Sequence, residues 1–453
     1  MHIHFIAIGG SAMHNLAIAL KQKGEFVSGS DDEIFEPSRS RLIGHGLLPE
    51  QYGWYPEKIS KDIDAVILGM HARPDNPELL KARELGLKIY SYPEYLYEQT
   101  KLKKRVVIGG SHGKTTLTSM VMHVLKACEV DFDYMVGANI EGFDTMVRLS
   151  DDAEIAVFEG DEYLSSPIDP RPKFHHYRPD IALLTGIAWD HINVFPSFEN
   201  YVEQFERFVS LIQPKGTLIY FEEDENLKKI ADTVMGKVLV LPYRTPAFRV
   251  IDNQSYLKSD VGEFKLEVFG RHNLQNIEGA RLVCRELGIP DALFYTKISS
   301  FKGSSRRLEK IAETSDAVVF YDFAHSPSKL KATTEAVKAQ YPGRELVAVM
   351  ELHTFSSLKK EFLPQYHLSM QAADKAFVYF NPQTIEHKRL EPITEAQVEK
   401  AFGGGVTVFT NADGLFEELS KFKWSNANLL IMTSGNFSGK DVKTFGQNLL
   451  GKK

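Results

Sequence analysis

The sequence predicts an α/β protein of three domains: a Rossmann-like N-terminal domain, a central P-loop ATPase-like domain on a parallel sheet, and a Rossmann-like C-terminal domain. Three observations carry this. The 453 residues suffice for two to four domains at about 100–200 residues each. Apolar runs ending in Gly, Ser or an acidic residue alternate with helical patterns along most of the chain, which is the signature of βαβ units. The stretch "VIGGSHGKTT" (107–116) lies between a strand-like and a helix-like segment, at the kind of strand end where open α/β sheets bind ligands.

The elements follow in order. In the first domain, 1–103, "IHFIAI" (3–8) and "DAVILG" (64–69) read as strands, and "AMHNLAIALKQKG" (12–24) and "NPELLKARELG" (76–86) as helices. The basic "KLKKR" (101–105) closes the set. In the second, 104–303, "RVVI" (105–108) leads into the glycine-rich loop and then a helix from Lys114, whose Leu117, Met120, Val121, Val124 and Leu125 recur at helical spacing. "EIAVF" (154–158), "IALLT" (181–185), "GTLIYF" (216–221) and "KVLVL" (237–241) continue the sheet, and alternating runs at 247–251 and 263–269 suggest an antiparallel appendage. After the joint "FKGSSRRLEK" (301–310), the third domain, 304–453, offers "AVVFY" (317–321), "ELVAVM" (345–350), "KAFVYF" (375–380) and "NLLIM" (428–432).

Composition excludes several classes of partner. The formal charge of −7 comes from interspersed residues of both signs, so neither a nucleic acid nor a membrane is expected as a partner. Cys128 and Cys284 are the only cysteines, read as small buried residues in a reducing compartment. No stretch approaches the ~20 apolar residues of a membrane span, and the start lacks a cleavable leader pattern. A cytoplasmic protein is expected, its oligomeric state left open between monomer and weak dimer.

The loop carries the chemistry. Glycines at 109, 110 and 113 let backbone N–H groups converge on an anion, Lys114 adds a point charge, and Thr115 offers a hydroxyl to magnesium. Measured against G-x-x-x-x-G-K-[ST], the loop is one residue short, with Ile108 where the first glycine belongs. Further oxygen ligands are expected from "VFEGDEY" (157–163), where Glu159 follows an apolar strand, and "GIAWDH" (186–191) offers Asp190 and His191.

With these residues the chain resembles the Mur ligase family, the ATP-dependent amide-forming enzymes of bacterial cell-wall precursor assembly, over essentially its whole length. There the loop reads G-x-x-G-K-T-T, which "GSHGKTT" (110–116) matches. The resemblance implies ATP held by Gly110, Ser111, His112, Gly113, Lys114, Thr115 and Thr116, and magnesium by Thr115, Glu159 and His191. "FGRHNLQN" (269–276) resembles the family's nucleotide-contacting motif, which implies roles for His272, Asn273 and Asn276. "GSSRRLE" (303–309) resembles its interdomain arginine motif, placing Arg306 at the nucleotide and Arg307 in the catalytic clamp. "YDFAHSPSKLKAT" (321–333) resembles the C-terminal D-x-A-H-x-P motif, with Asp322 and His325 at the closing cleft. Physically, such a set suits amide synthesis: a carboxylate resists amines until phosphoryl transfer turns it into an acyl phosphate. Lys114, magnesium and an arginine stabilise that transfer. Domain closure is expected to assemble the site.

The resemblance also suggests the two molecules joined. "IAIGGSAMHNLA" (6–17) resembles a UDP-binding segment, implying contacts from Gly9, Gly10, Ser11, Ala12 and Met13, and "VSGSD" (27–31) adds Ser28, Ser30 and Asp31. UDP-N-acetylmuramate is the implied carboxylate. Ala7 and Ala12 depart from a pattern that commonly has glycine. "EGDEYLSSPIDPRPKFHHYRP" (159–179), through Tyr163, Asp169, Lys173, Phe174, Tyr177 and Pro179, resembles the branch that adds L-alanyl-γ-D-glutamyl-meso-diaminopimelate in peptidoglycan recycling. "MELHTFSSLK" (350–359) points the same way. The tripeptide is therefore the expected amine, contacted by His353, Thr354, Ser356, Ser434 and Asn436, with L-alanine as the alternative. Gly186 and His353 depart from the family's usual Asn and Arg, and an imidazole cannot make a guanidinium's bidentate fork.

Overall fold

A computed structural model describes residues 1–189 and 194–451. The N-terminal sheet has four parallel strands, β1 (His2–Ile6), β2 (Phe26–Ser30), β3 (Ala65–Leu68) and β4 (Ile89–Ser91), in the order β2-β1-β3-β4. Side-chain alternation splits these strands between two cores. Ile3, Phe5, Ala65 and Ile67 pack on one face, and Ile6, Val66 and Leu68 on the other, as a sheet covered on both faces requires.

The central elements are β5 (Lys104–Gly109), β6 (Phe132–Met135), β7 (Val147–Arg148), β8 (Ile155–Glu159), β9 (Leu164–Ser166), β10 (Asp169–Pro172), β11 (Ile181–Leu184), β12 (Thr217–Phe221) and β13 (Leu239–Tyr243). Seven of them form one sheet in the order β13-β12-β11-β5-β8-β6-β7, antiparallel only at β7, while β9 and β10 pair as a separate hairpin. The strands around β5 frame the glycine-rich loop. Leu184 of β11 pairs with Gly109, and Ile108 pairs with Glu159 of β8, so three strand ends lie side by side at the loop.

β14 (Phe248–Ile251), β15 (Gln254–Ser259) and β16 (Gly262–Leu266) form the antiparallel appendage. The C-terminal sheet contains β17 (Glu309–Glu313), β18 (Ala317–Asp322), β19 (Glu345–Leu352), β20 (Lys375–Phe380), β21 (Val406–Phe409) and β22 (Ala427–Met432). Its order is β17-β18-β22-β19-β20-β21, with β17 an antiparallel edge. The fold is thus the predicted α/β arrangement, two Rossmann-like domains flanking a central nucleotide-binding one. By packing, Met1–Trp189, Val194–Arg244 and Gly279–Lys297 form one compact unit, and Thr245–Glu278 with the chain from Ile298 onward belongs to a second.

Strands absent from the sequence expectation are short or polar. β6 carries Asp133, buried because Lys103 pairs with it at 2.6 Å, and β17 is a charged edge. Cys284 is buried and Cys128 only half-buried; both are free. Among the described residues, no helix is long and apolar enough to cross a membrane.

Candidate active site

The loop after β5 is shaped by glycine. Gly110 has φ +127°, and a Cβ there would lie 2.1 Å from Thr185 Oγ1, so only glycine fits. Gly113, at φ +76°, turns the chain into the helix Lys114–Ala127, whose N-terminus is a ready anion site. The loop is tied down at Ser111, whose N–H donates to Gly186 O at 2.9 Å, and at His112, whose carbonyl accepts from Thr185 Oγ1. Gly186, at φ +145°, therefore serves through its backbone.

Buried charges surround Lys114. Its Nζ donates to Gly110 O at 2.7 Å and lies 2.5 Å from Glu162 Oε2. Burial works against the ammonium, but Glu162, Asp161 and Glu159 outweigh it and hold the pKa above the ordinary lysine value. Asp161 behaves conversely. Burial pushes its carboxyl up, yet Lys173, 2.5 Å away, and Lys114 hold it below the usual range.

Thr115 Oγ1 donates to Glu159 Oε1 at 2.8 Å, and Glu159 Oε2 accepts from Gly137 N–H at 2.7 Å. Two hard oxygen donors side by side, next to a phosphate-shaped loop, fit magnesium. Asp190 and His191, the remaining expected contributors, lie outside the described residues. Thr116 is buried one position further into the helix.

In the N-terminal domain, Gly9, Gly10, Ser11, Ala12 and Met13 follow β1 and open the helix Ser11–Gln22. Gly9 N–H donates to Asp31 Oδ2 at 2.6 Å, so this amide is already engaged. Burial raises the Asp31 pKa, with the Gly9 N–H opposing. Ser28 is occupied by His2 and His4, each at 2.9 Å, whereas Ser30 Oγ is buried with no hydrogen-bond partner among the described residues. A cavity of about 510 Å³, lined by Asp32, Ile34, Phe35, Arg39 and Tyr52 among others, opens beside Asp31. Ala7 sits at φ +66°, in the left-handed region that strains a Cβ, which explains why glycine suits this turn.

In the C-terminal sheet, the expected residues gather at the carboxyl ends of the adjacent strands β18, β22 and β19. Arg306 Nη2 donates to Gly435 O at 3.0 Å, and its guanidinium lies 4.9 Å from the Tyr321 ring centroid; Arg307 lies 4.8 Å from that of Phe323. Asp322 accepts from Ala324 N–H at 2.6 Å and from Leu308 N–H. Burial raises its pKa, with Arg307 opposing. His325 Nδ1 is 2.8 Å from Phe323 O. His353 Nδ1 stands 3.7 Å from the buried Glu351, which also binds Thr433 Oγ1 and Phe437 N–H. Thr354 Oγ1 caps Ser357 N–H at 3.1 Å, Asn436 caps Gly439 N–H at 3.2 Å, and Ser356 is half-buried. Ser434 Oγ and Arg306 Nε are buried with no partner among the described residues. His272, Asn273 and Asn276 occupy the start of the helix Arg271–Glu286. Asn273 Nδ2 donates to Phe269 O at 2.9 Å, and burial lowers the His272 pKa to about 4.

Comparison with known proteins agrees along the whole chain. Residues 2–104 match the Mur ligase family, catalytic domain; residues 108–284 match the Mur ligase middle domain; residues 306–437 match the Mur ligase, glutamate ligase domain. The UDP-N-acetylmuramate–L-alanine ligase of Sulfurihydrogenibium sp. (strain YO3AOP1) is 32% identical over 367 residues, covering 80% of this chain and 78% of that one. The ligase of the same name from Caldicellulosiruptor bescii is 32% identical over 387 residues, covering 83% and 82%. The chain belongs to the Mur ligase family.

Two solved structures support the fold. The UDP-N-acetylmuramate-alanine ligase of Thermotoga maritima superposes with a TM-score of 0.72 at 20% identity, over 99% of this chain and 98% of that one. A murein peptide ligase from Psychrobacter arcticus 273-4 gives 0.66 at 24% identity, over 100% and 98%. As a Mur ligase the chain is an ATP- and magnesium-dependent enzyme that forms amide bonds.

The comparisons correct the expected amine. The relatives at 32% identity are L-alanine ligases, which overturns the tripeptide reading. The physical reason lies in the segment that suggested it. Phe174 and Tyr177 are fully buried core residues, Lys173 is engaged by Asp161, and Asp169 is paired with Arg171 at 2.6 Å. Arg171 also reaches Glu94 at 3.3 Å, and His176 Nε2 lies 3.3 Å from Asp169. That group knots the helix Tyr92–Thr100 to β10. These residues hold the first unit together, and a likeness among them does not report on the amine. The loop neighbours that sequence reasoning missed are Asp161, Glu162, Thr185 and Tyr201. Glu162 stood within "VFEGDEY", three residues from Glu159, whereas Tyr201 reads as an ordinary apolar-face position of its helix.

Proposed function

We propose that this Mur ligase joins the lactyl carboxylate of UDP-N-acetylmuramate to the amine of L-alanine, with release of ADP and phosphate, in the cytoplasm during cell-wall precursor synthesis. The observation that carries the reading is the 32% identity to L-alanine ligases over 80% of the chain. We keep the division into 1–103 for the UDP-sugar, 104–303 for ATP and 304–453 for the amine as part of the proposal.

In this reading the backbone around Gly110, Ser111, His112 and Gly113 receives the phosphates, and Lys114 meets the charge that develops on the transferring phosphoryl group. Thr115 and Glu159, with His191, would hold magnesium, which supplies neutralisation of phosphate charge. Gly10, Ser11 and the hydroxyl of Ser30 serve the UDP group, with Asp31 fixing the turn through Gly9. By the family resemblance, Arg306 and Arg307 would serve the nucleotide's phosphates, and His272, Asn273 and Asn276 its adenosine. At the C-terminal sheet, Asp322 and His325 orient the amine and take part in its deprotonation, since only the neutral amine attacks the acyl phosphate. His353, Thr354, Ser356, Ser434 and Asn436 surround it. The test is product identification: with ATP, magnesium, UDP-N-acetylmuramate and L-alanine, mass spectrometry shows the L-alanyl amide in step with ADP. ADP release without that amide would refute the reading.

A further inference from the structure

Glu162 holds a place at the loop that the loop motif does not explain. Its side chain is 1% exposed, with Oε2 2.5 Å from Lys114 Nζ and Oε1 accepting from Tyr201 OH at 3.0 Å. The other carboxylates nearby are committed elsewhere. Asp161 pairs with Lys173, and Glu159 serves Thr115 Oγ1 and Gly137 N–H. Glu162 is thus the carboxylate that grips the lysine.

The protons have one consistent direction. An ionised carboxylate only accepts, so the single phenolic proton of Tyr201 goes to Glu162. Ser111 Oγ, 2.9 Å from Tyr201 OH, must then donate to it, and Ser111 itself accepts from Ala188 N–H at 2.9 Å. Ala188, Ser111, Tyr201, Glu162 and Lys114 form a chain that fixes the loop and its lysine together. An ammonium has three N–H bonds. Two are committed, to Gly110 O at 2.7 Å and to Glu162, which leaves the third for a phosphoryl oxygen.

We propose that Glu162, held by Tyr201, is a positioning residue that aims the Lys114 ammonium at the terminal phosphoryl group of ATP. Fixing two of three N–H directions costs nothing at the moment of reaction, which is the advantage of a preorganised donor. Glu162 acts through Lys114 and touches no substrate.

The test uses nucleotide alone, so it stands or falls independently of which amine is joined. Titration calorimetry with Mg·AMP-PNP and with Mg·ADP is run on the wild type, E162Q, Y201F, K114A and K114A/E162Q. E162Q should bind Mg·AMP-PNP about tenfold more weakly and Mg·ADP within about threefold of wild type, because only the former presents the terminal phosphoryl group. In the K114A background, E162Q should have no further effect. Y201F should show the E162Q pattern at about threefold, and it carries the test if E162Q fails to fold. Equal losses on both nucleotides, a loss that persists without Lys114, or wild-type binding in both E162Q and Y201F would overturn the proposal.

Discussion

The ATP loop and the carboxyl edge of the C-terminal sheet differ in how completely their buried polar atoms are matched. Around the loop, charges are buried but matched: Lys114 by Glu162, Lys173 by Asp161, and Glu159 by Thr115 and Gly137. At the C-terminal edge, Ser434 Oγ and Arg306 Nε are buried with no partner among the described residues. An unmatched buried polar atom costs about 1–3 kcal/mol, which makes these two candidates for pairing with a bound ligand. The difference is one of degree: Glu351 and Asp322 at that edge are matched as well, but two polar atoms there stay open to a ligand.

This contrast can be broken or sharpened, beginning with the largest effect. Lys114→Ala should lower ATP turnover by at least about 100-fold, as loss of a transition-state charge partner does, and should also lower the thermal midpoint, because it leaves the buried Glu162 carboxylate without its counter-charge; ADP release and a melting curve read the two. A matched network also predicts intolerance of shape. Gly110→Ala brings a Cβ to 2.1 Å from Thr185 Oγ1 at φ +127° and should destabilise the protein by about 1–3 kcal/mol or more, seen in urea unfolding. On the unmatched side the effect is smaller and kinetic. Ser434→Ala should raise the KM for the amine about 3–10-fold without loss of stability, since the hydroxyl gains its partner only on binding; a drop in stability with unchanged KM would place its partner within the protein. The smallest effect tests the turn before the UDP segment. Ala7→Gly relieves the left-handed backbone at φ +66° and should stabilise by up to about 1 kcal/mol, the relief being offset in part by glycine's unfolded-state entropy.

The two halves also differed in how far the sequence revealed them. The loop was legible because Gly110, Gly113, Lys114 and Thr115 are contiguous and their roles follow from backbone geometry and charge. The apolar runs also showed these strands, with ends read at 108, 158 and 185 that lie within one residue of the observed 109, 159 and 184. Glu162 and Tyr201 were hidden for physical reasons. Tyr201 shares the buried face of its helix with Phe205, Phe208 and Val209, so periodicity counts it as core and says nothing of its hydroxyl. The acceptor was misread because Phe174, Tyr177 and Lys173 look distinctive while doing packing and pairing inside the first unit. The residues proposed to meet the amine are instead scattered over three strand ends, from 322 to 436, which only the sheet order brings together.

The most direct measurement of the central claim is a comparison of kcat/KM for L-alanine and for L-alanyl-γ-D-glutamyl-meso-diaminopimelate, each with ATP, magnesium and UDP-N-acetylmuramate, followed by ADP release. The account predicts faster turnover with L-alanine, strictly dependent on both UDP-N-acetylmuramate and the amine. Faster turnover with the tripeptide, or ADP release that needs neither acceptor, would contradict it.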